Sequence, residues 1–265
     1  MTERAARSSR RRMTLAIIGG AVSTAFVDLF AIRCAAQEAD REPVDQVREL
    51  PLSSLPPPPK EFADRIRLGR VRFITGGEPQ STLQKGSGLT KLSGETRFTF
   101  RYRYDSRATW QTRSTQGGTS RQIADIRVKF RSIKLFLNHD VWLRKVPPTE
   151  SFWEALIVRH EMDHVRISAD PRIENWFLDR VKTIERIRVP LSMVADRNGQ
   201  VGNAKVQALI EAKMKEALDE TTGLVQIRYR ELDRLTQHGL VPIPDATHFF
   251  DQAPSDQGPP GQGRR

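Results

Sequence analysis

The chain has 265 residues, 38% hydrophobic and 28% charged, which is the composition of a soluble globular protein and is long enough to bury a sizeable core. Its 43 Lys and Arg exceed its 32 Asp and Glu, for a formal net charge of +11. The basic residues are spread along the chain without a recognisable nucleic-acid module, so nucleic acid is not an expected partner.

In chain order, "MTERAARSSRRR" is an arginine-rich arm, "MTLAIIGGAVSTAFVDLFAI" an apolar run, and "RCAAQEA" a stretch of small residues suited to cleavage. This is the layout of an export signal over residues 1–36, with paired arginines compatible with the twin-arginine route as well as the general one. Asp28 would sit at an expensive depth in a permanent membrane anchor. Arg33 occupies the position where lipid attachment at Cys34 would need a small residue. Cleavage after Ala36 removes the only cysteine, so a metal site in the mature protein must use nitrogen and oxygen ligands. It also removes six basic residues and two acids, lowering the net charge from +11 to +7. The expected mature protein is periplasmic or extracellular, without a stable membrane span.

Residues 37–61 include "SSLPPPPK" and read as a proline-rich linker. Residues 246–265 are rich in Gln, Gly and Pro and read as a disordered tail. The domain is expected over 62–245. Within it, "RFTFRYRYDS" alternates Phe98, Phe100, Tyr102 and Tyr104 with basic and hydroxyl residues, and "ADIRVKFRSIKLFL" alternates Ile126, Val128 and Phe130 with Arg127, Lys129 and Arg131. With "LGRVRFITGG" and "ATWQTRSTQGG" they predict an antiparallel sheet of about four strands, one face packed and one basic face wet. Solvated charges explain that basic face by default; an anionic partner is the rival explanation.

Beyond "KVPPTE" the period becomes helical. Ser151 and Glu154 have capping-box spacing, and the helix they introduce carries "RHEMDH", an HExxH pattern. His160 and His164, four residues apart, project from one helical face and can share a metal ion, while Glu161 is rotated into position to hold a water. A third ligand has to come from elsewhere. Asp170 has Ile167 where the extended zincin motif needs glycine, and with Pro171 it makes a good N-cap pair for the next helix, "PRIENWFLDRVKTIERIRV". Glu174, Asp179 and Glu185 are carboxylates on that helix. "NAKVQALIEAKMKEALDETTG" reads as a third helix ended by Gly223 and "LVQIRYRELDRLTQHGL" as a fourth. His238, near its end, is either a helix-terminal cation or the missing nitrogen ligand.

"ALIVRHEMDHVRIS" followed at a distance by "ELDRLTQHG" resembles a bacterial family of predicted secreted zinc-dependent proteases, domain of unknown function 922. That family has an HExxH helix followed by a Tyr-Asp-x-x-Thr-x-His-Gly segment. The likeness spans roughly residues 95–240 and rests on those two motifs. Here the second motif reads Leu232, Asp233, Thr236, His238 and Gly239, with leucine in place of the tyrosine; Tyr229, one turn earlier, is a possible substitute for its hydroxyl. The resemblance implies an exported metallopeptidase.

The sequence therefore predicts an α+β, zincin-like domain: an antiparallel sheet packed against the HExxH helix, with further helices toward the C-terminus. The expected ligands of a Zn2+ ion are His160, His164 and His238, with Glu161 as general base. Asp233 or Asp163 is expected to hydrogen-bond a ligating imidazole. The expected substrate is a protein or peptide of the cell envelope. A zinc amidase acting on cell-wall peptides and a non-catalytic envelope-binding module using the basic sheet face are the alternatives.

Overall fold

The computed structural model describes residues 13–18, 46–79, 92–114, 122–244 and 246–251. In chain order its elements are β1 (Met13–Ile18), β2 (Arg48–Leu50), α1 (Lys60–Gly69), β3 (Val71–Thr75), β4 (Gly94–Ser114), β5 (Gln122–Leu143), α2 (Leu156–Ser168), α3 (Pro171–Thr183), β6 (Arg186–Pro190), α4 (Leu191–Val194), α5 (Asn203–Thr236) and α6 (Ala246–Asp251). The protein is α+β, as its sequence pattern predicts. Its sheet runs β1-β4-β5-β3-β2, with β6 also paired to β5. All pairs are antiparallel except β3 with β5.

The two candidate strands read separately from "RFTFRYRYDS" and "ATWQTRSTQGG" are one long strand, β4, which with β5 forms a ribbon about 70 Å long at the usual rise per residue. A register shift at Asp105/Ser106 moves the pairing from Asp105↔Ser132 to Ser106↔Phe130, leaving Arg131 as the extra residue on β5. That insertion switches the inward-facing set on β5 from Ala124, Ile126 and Val128 to His139, Val141 and Leu143, so both halves of the strand keep an apolar face on the helices.

The main core lies between this ribbon and α3, α4, α5 and α6, and includes Phe100, Tyr102, Ile126, Phe177, Ile210, Met214 and Leu218. A smaller core joins α1, β3 and the end of β5 to α2 through Phe62, Phe73, Val141, Phe152, Val158 and Met162. The HExxH helix thus packs on both cores, which fixes its position from two sides.

Several expected boundaries differ. The helix predicted after Asp170 stops at Thr183, and "RIRVP" becomes β6, because Ile187 is buried opposite Ile126 on the sheet. Gly223 does not end a helix: α5 runs unbroken for 34 residues, about 51 Å. One interior glycine costs about 1 kcal/mol, and the buried stripe of Leu218, Thr221, Thr222 and Val225 continues across it. Within the span read as linker, Arg48–Leu50 pairs with β3, and the Pro56 carbonyl accepts a hydrogen bond from the Trp153 indole at 2.8 Å. Phe249 and Phe250, in the span read as tail, are buried in the main core. The strand Met13–Ile18, inside the stretch read as an export signal, lies antiparallel to Thr99–Tyr104.

Asp170 caps α3 as predicted, its carboxylate accepting the Arg172 backbone N–H at 2.8 Å with Pro171 at the first turn. Burial raises the Asp170 pKa, but the side-chain and backbone hydrogen bonds from Arg172 outweigh it and hold the carboxyl below its usual range. The resulting stabilisation is present above the unfolded aspartate pKa and is lost as pH falls through the lower folded value. Asp170→Ala is expected to lower unfolding stability by about 1 kcal/mol at neutral pH. In urea denaturation the difference from wild type should shrink on acidification toward pH 2; a constant difference would show that the carboxylate contributes nothing as an ion.

Candidate metal centre

The helix that carries the motif begins later than the capping-box spacing predicts. Ser151 and Glu154 lie in a separate 3-10 turn, Thr149–Glu154, and Ala155 is the N-cap of α2 without a side-chain hydrogen bond. Aromatic burial decides this entry: Phe152 and Trp153 pack edge-to-face on each other and on Phe73. Thr149–Glu154 therefore anchors to the smaller core, and α2 starts beyond it.

On α2, His160 and His164 are buried and turn their Nε2 atoms toward each other at 3.2 Å. The third group at this point is Asp233, from the last turns of α5. Its Oδ1 lies 3.2 Å from His160 Nε2 and 3.0 Å from His164 Nε2. His160, His164 and Asp233 form a group whose donor atoms can hold a metal ion. A tetrahedral ion with metal–ligand bonds of about 2.0–2.1 Å has ligand–ligand edges of about 3.3–3.4 Å. The observed triangle, with edges of 3.0–3.2 Å, is slightly smaller than that.

This geometry groups Asp233, rather than the expected His238, with the two histidines. Asp233, expected as a hydrogen-bond partner of an imidazole, stands at the third vertex. His238 stands outside it, with Nδ1 3.7 Å from Asp233 Oδ1 and its side chain half exposed. The reason is the end of α5. Gln237 and His238 both adopt left-handed backbone conformations (φ 49° and 57°), so the chain leaves the helix just before His238. Of the other carboxylates, Asp170 caps α3, Glu174 and Glu185 are exposed, Asp179 pairs with Lys182, and Asp163 faces Arg65 at 4.0 Å.

Hydrogen bonds from outside the triangle set the state of its members. Thr236 Oγ1 donates to the Leu232 carbonyl at 2.8 Å and therefore receives the Nδ1 hydrogen of His160 at 3.2 Å. A proton held on Nδ1 leaves Nε2 as the ligating nitrogen whenever the His160 ring is neutral. Burial pushes the Asp233 pKa up, but hydrogen bonds from the two imidazoles prevail and hold it far below the usual carboxylate range. Burial disfavours the charged form of His160, yet the Asp233 hydrogen bond and the nearby charges of Glu161, Asp233 and Asp163 raise its pKa. His164 Nδ1 is buried without a hydrogen-bond partner among the described residues, and the ring of Tyr229 packs against the His164 ring, centroids 4.3 Å apart. The Tyr229 hydroxyl is engaged by Ser168 at 2.9 Å, and Ser168 by His139 Nε2 at 2.6 Å. Burial drives the Tyr229 pKa upward, so it stays a neutral phenol.

Glu161 is buried beside the triangle. Its Oε2 accepts a hydrogen bond from Thr96 Oγ1 at 2.7 Å. Burial raises its pKa above the ordinary value, against the opposing pull of His164, His160 and the Thr96 hydroxyl. Two glycines make room here. A Cβ on Gly94 would lie 2.6 Å from Glu161 Oε1, and a Cβ on Gly239, at φ 80°, would lie 2.9 Å from the His160 ring. Only a residue without a side chain lets β4 and the turn after α5 approach the motif this closely. A cleft of about 120 Å³ opens onto Glu161, His160, His164, Asp233 and His238.

Asp233, Thr236 and Gly239 all belong to "LDRLTQHG", so that segment was visible in the sequence, as was the contact of Asp233 with an imidazole; the roles of Thr236 and Gly239 were not. Thr96 and Gly94 carry no local signal, since they reach Glu161 only through the packing of β4 on α2. Comparisons with protein-family models, curated proteins and solved structures find no match to this chain.

Proposed function

We propose that the protein is an exported zinc-dependent metallopeptidase. The observation that carries this reading is the triangle of His160 Nε2, His164 Nε2 and Asp233 Oδ1 with the buried carboxylate of Glu161 beside it. Two imidazoles and one carboxylate are a donor set suited to zinc, with a fourth position left for a water or substrate. A bound ion would supply Lewis acidity, polarising a substrate carbonyl and acidifying a water. His160, His164 and Asp233 would hold the metal, and Thr236 would keep His160 in the ligating tautomer. Glu161 accepts a proton from the attacking water and passes it to the leaving amine. Thr96 holds the carboxylate in one orientation throughout.

The export-signal layout of residues 1–36 and the resemblance to secreted zinc-dependent proteases support an envelope location and a protein or peptide substrate. The full chain, supplied with zinc, is expected to hydrolyse casein, to stop on addition of 1,10-phenanthroline and to resume when zinc is returned. Cleavage of purified muropeptides with casein untouched would assign it instead as a cell-wall amidase. No hydrolysis of either substrate by zinc-loaded protein would remove the enzymatic reading.

A further inference from the structure

The sheet has a second surface that the metal centre does not use. On the face of β4, β5 and β6 turned away from the core, Arg127 is directly opposite Arg186 on one side and Thr109 on the other. One step along, Asp125 lies between Arg188 and Gln111. With Arg113 these residues line a groove of about 720 Å³. Thr109 is 13 residues along β4 from Thr96, about 43 Å at the strand rise, and the metal centre lies on the opposite face. Four arginines share a single carboxylate: Asp125 reaches Arg113 at 3.0 Å and Arg188 at 3.5 Å. Arg127 and Arg186 make no ion pair with an acid among the described residues. The basic row continues along the ribbon, with Arg107 opposite Lys129 and Arg103 opposite Lys134, all exposed.

Three of these cross-strand pairs, Arg127/Arg186, Arg107/Lys129 and Arg103/Lys134, therefore place like charges directly opposite each other, an arrangement that destabilises a sheet. A bound polyanion would relieve it. We propose that this outer face binds an acidic polypeptide segment in extended conformation. In an extended chain, every second side chain faces the same way, about 6.6 Å apart. Arg127 and Lys129 on β5, and Arg186 and Arg188 on β6, repeat at that same spacing, so alternate carboxylates of such a segment meet one arginine or lysine after another. Guanidinium groups donate paired hydrogen bonds to carboxylates.

The surface suits other anions less well. Among the described residues, none of the large exposed hydrophobic side chains lies on this face, so they supply nothing there to enter a lipid layer. It is also poor in stacking platforms for nucleic-acid bases among the described residues: Trp110 lines the groove but is partly buried against the core, as is Phe130, and Phe136 is partly buried with the Arg70 guanidinium 5.8 Å from its ring centroid.

The test is binding of fluorescent 12-residue peptides to the full-length protein at low salt. The alternating peptide (Glu-Thr)6 is expected to bind about threefold or more tighter than (Glu-Glu-Thr-Thr)3, which has the same composition but the wrong period. The double variant Arg127→Gln/Arg186→Gln is expected to weaken (Glu-Thr)6 binding about tenfold. The charge-matched control Lys213→Gln/Lys215→Gln, on the exposed side of α5, is expected to bind like wild type. Equal affinity for the two peptides, or equal loss in the control, would mean that net charge alone attracts the ligand and would overturn the proposal. Tighter binding to an oligothymidylate, to polygalacturonate or to phosphatidylglycerol vesicles than to (Glu-Thr)6 would overturn it in favour of that other anion.

Discussion

Asp233→Ala is expected to reduce the zinc content of the purified protein from about one ion per chain to a small fraction of that, whereas His238→Ala should retain it. Asp233 Oδ1 contacts both imidazoles at 3.0 and 3.2 Å, and removing it opens one side of the site. His238, half exposed and 3.7 Å from that oxygen, adds charge nearby without joining the triangle. His160→Ala should behave like Asp233→Ala. The same comparison has a thermal readout, because an ion bound only by the folded state stabilises it by about 4 kcal/mol at a thousandfold excess over its Kd. Chelation should then lower the wild-type Tm by roughly 10 °C for a domain of this size and should change the Asp233→Ala Tm very little. Full zinc in Asp233→Ala together with loss in His238→Ala would return the third-ligand role to the histidine.

Glu161→Gln is expected to lower kcat/KM for peptide hydrolysis about 10²- to 10⁴-fold, equivalent to about 3 to 5 kcal/mol in the barrier, while zinc content stays that of wild type. Glutamine has nearly the shape of glutamate and keeps an oxygen for the Thr96 hydroxyl, which donates to Glu161 at 2.7 Å, but it cannot take a proton from water. Retained zinc separates this result from a collapsed site. A loss smaller than tenfold would mean that another group accepts the proton.

Much of this arrangement was legible from local pattern. The alternation of Phe98, Phe100, Tyr102 and Tyr104 fixes an inward face on any strand, whatever its partners. The four-residue spacing of His160 and His164 fixes a shared direction on any helix. Asp170 followed by Pro171 meets the two requirements of a helix start within two residues, and it caps α3 as those requirements dictate. These are short-range constraints, in which the residues involved supply the geometry themselves.

Other features depended on partners distant in the chain. "RIRVP" has spacing compatible with either a helix or a strand, and the exposed edge of β5 decided for the strand. Gly223 resembles a helix end until the buried residues on both sides of it find the same core. The choice between Asp233 and His238 belongs to the same class. They lie five residues apart in one segment, and either residue type can bind a metal. Asp233 is still on the helix and faces α2, whereas His238 comes after α5 has ended in left-handed backbone. Sequence determined that the HExxH helix carries two nitrogen donors on one face. Only the tertiary structure, by docking the last turns of α5 against that face, decided which side chain completes the triangle.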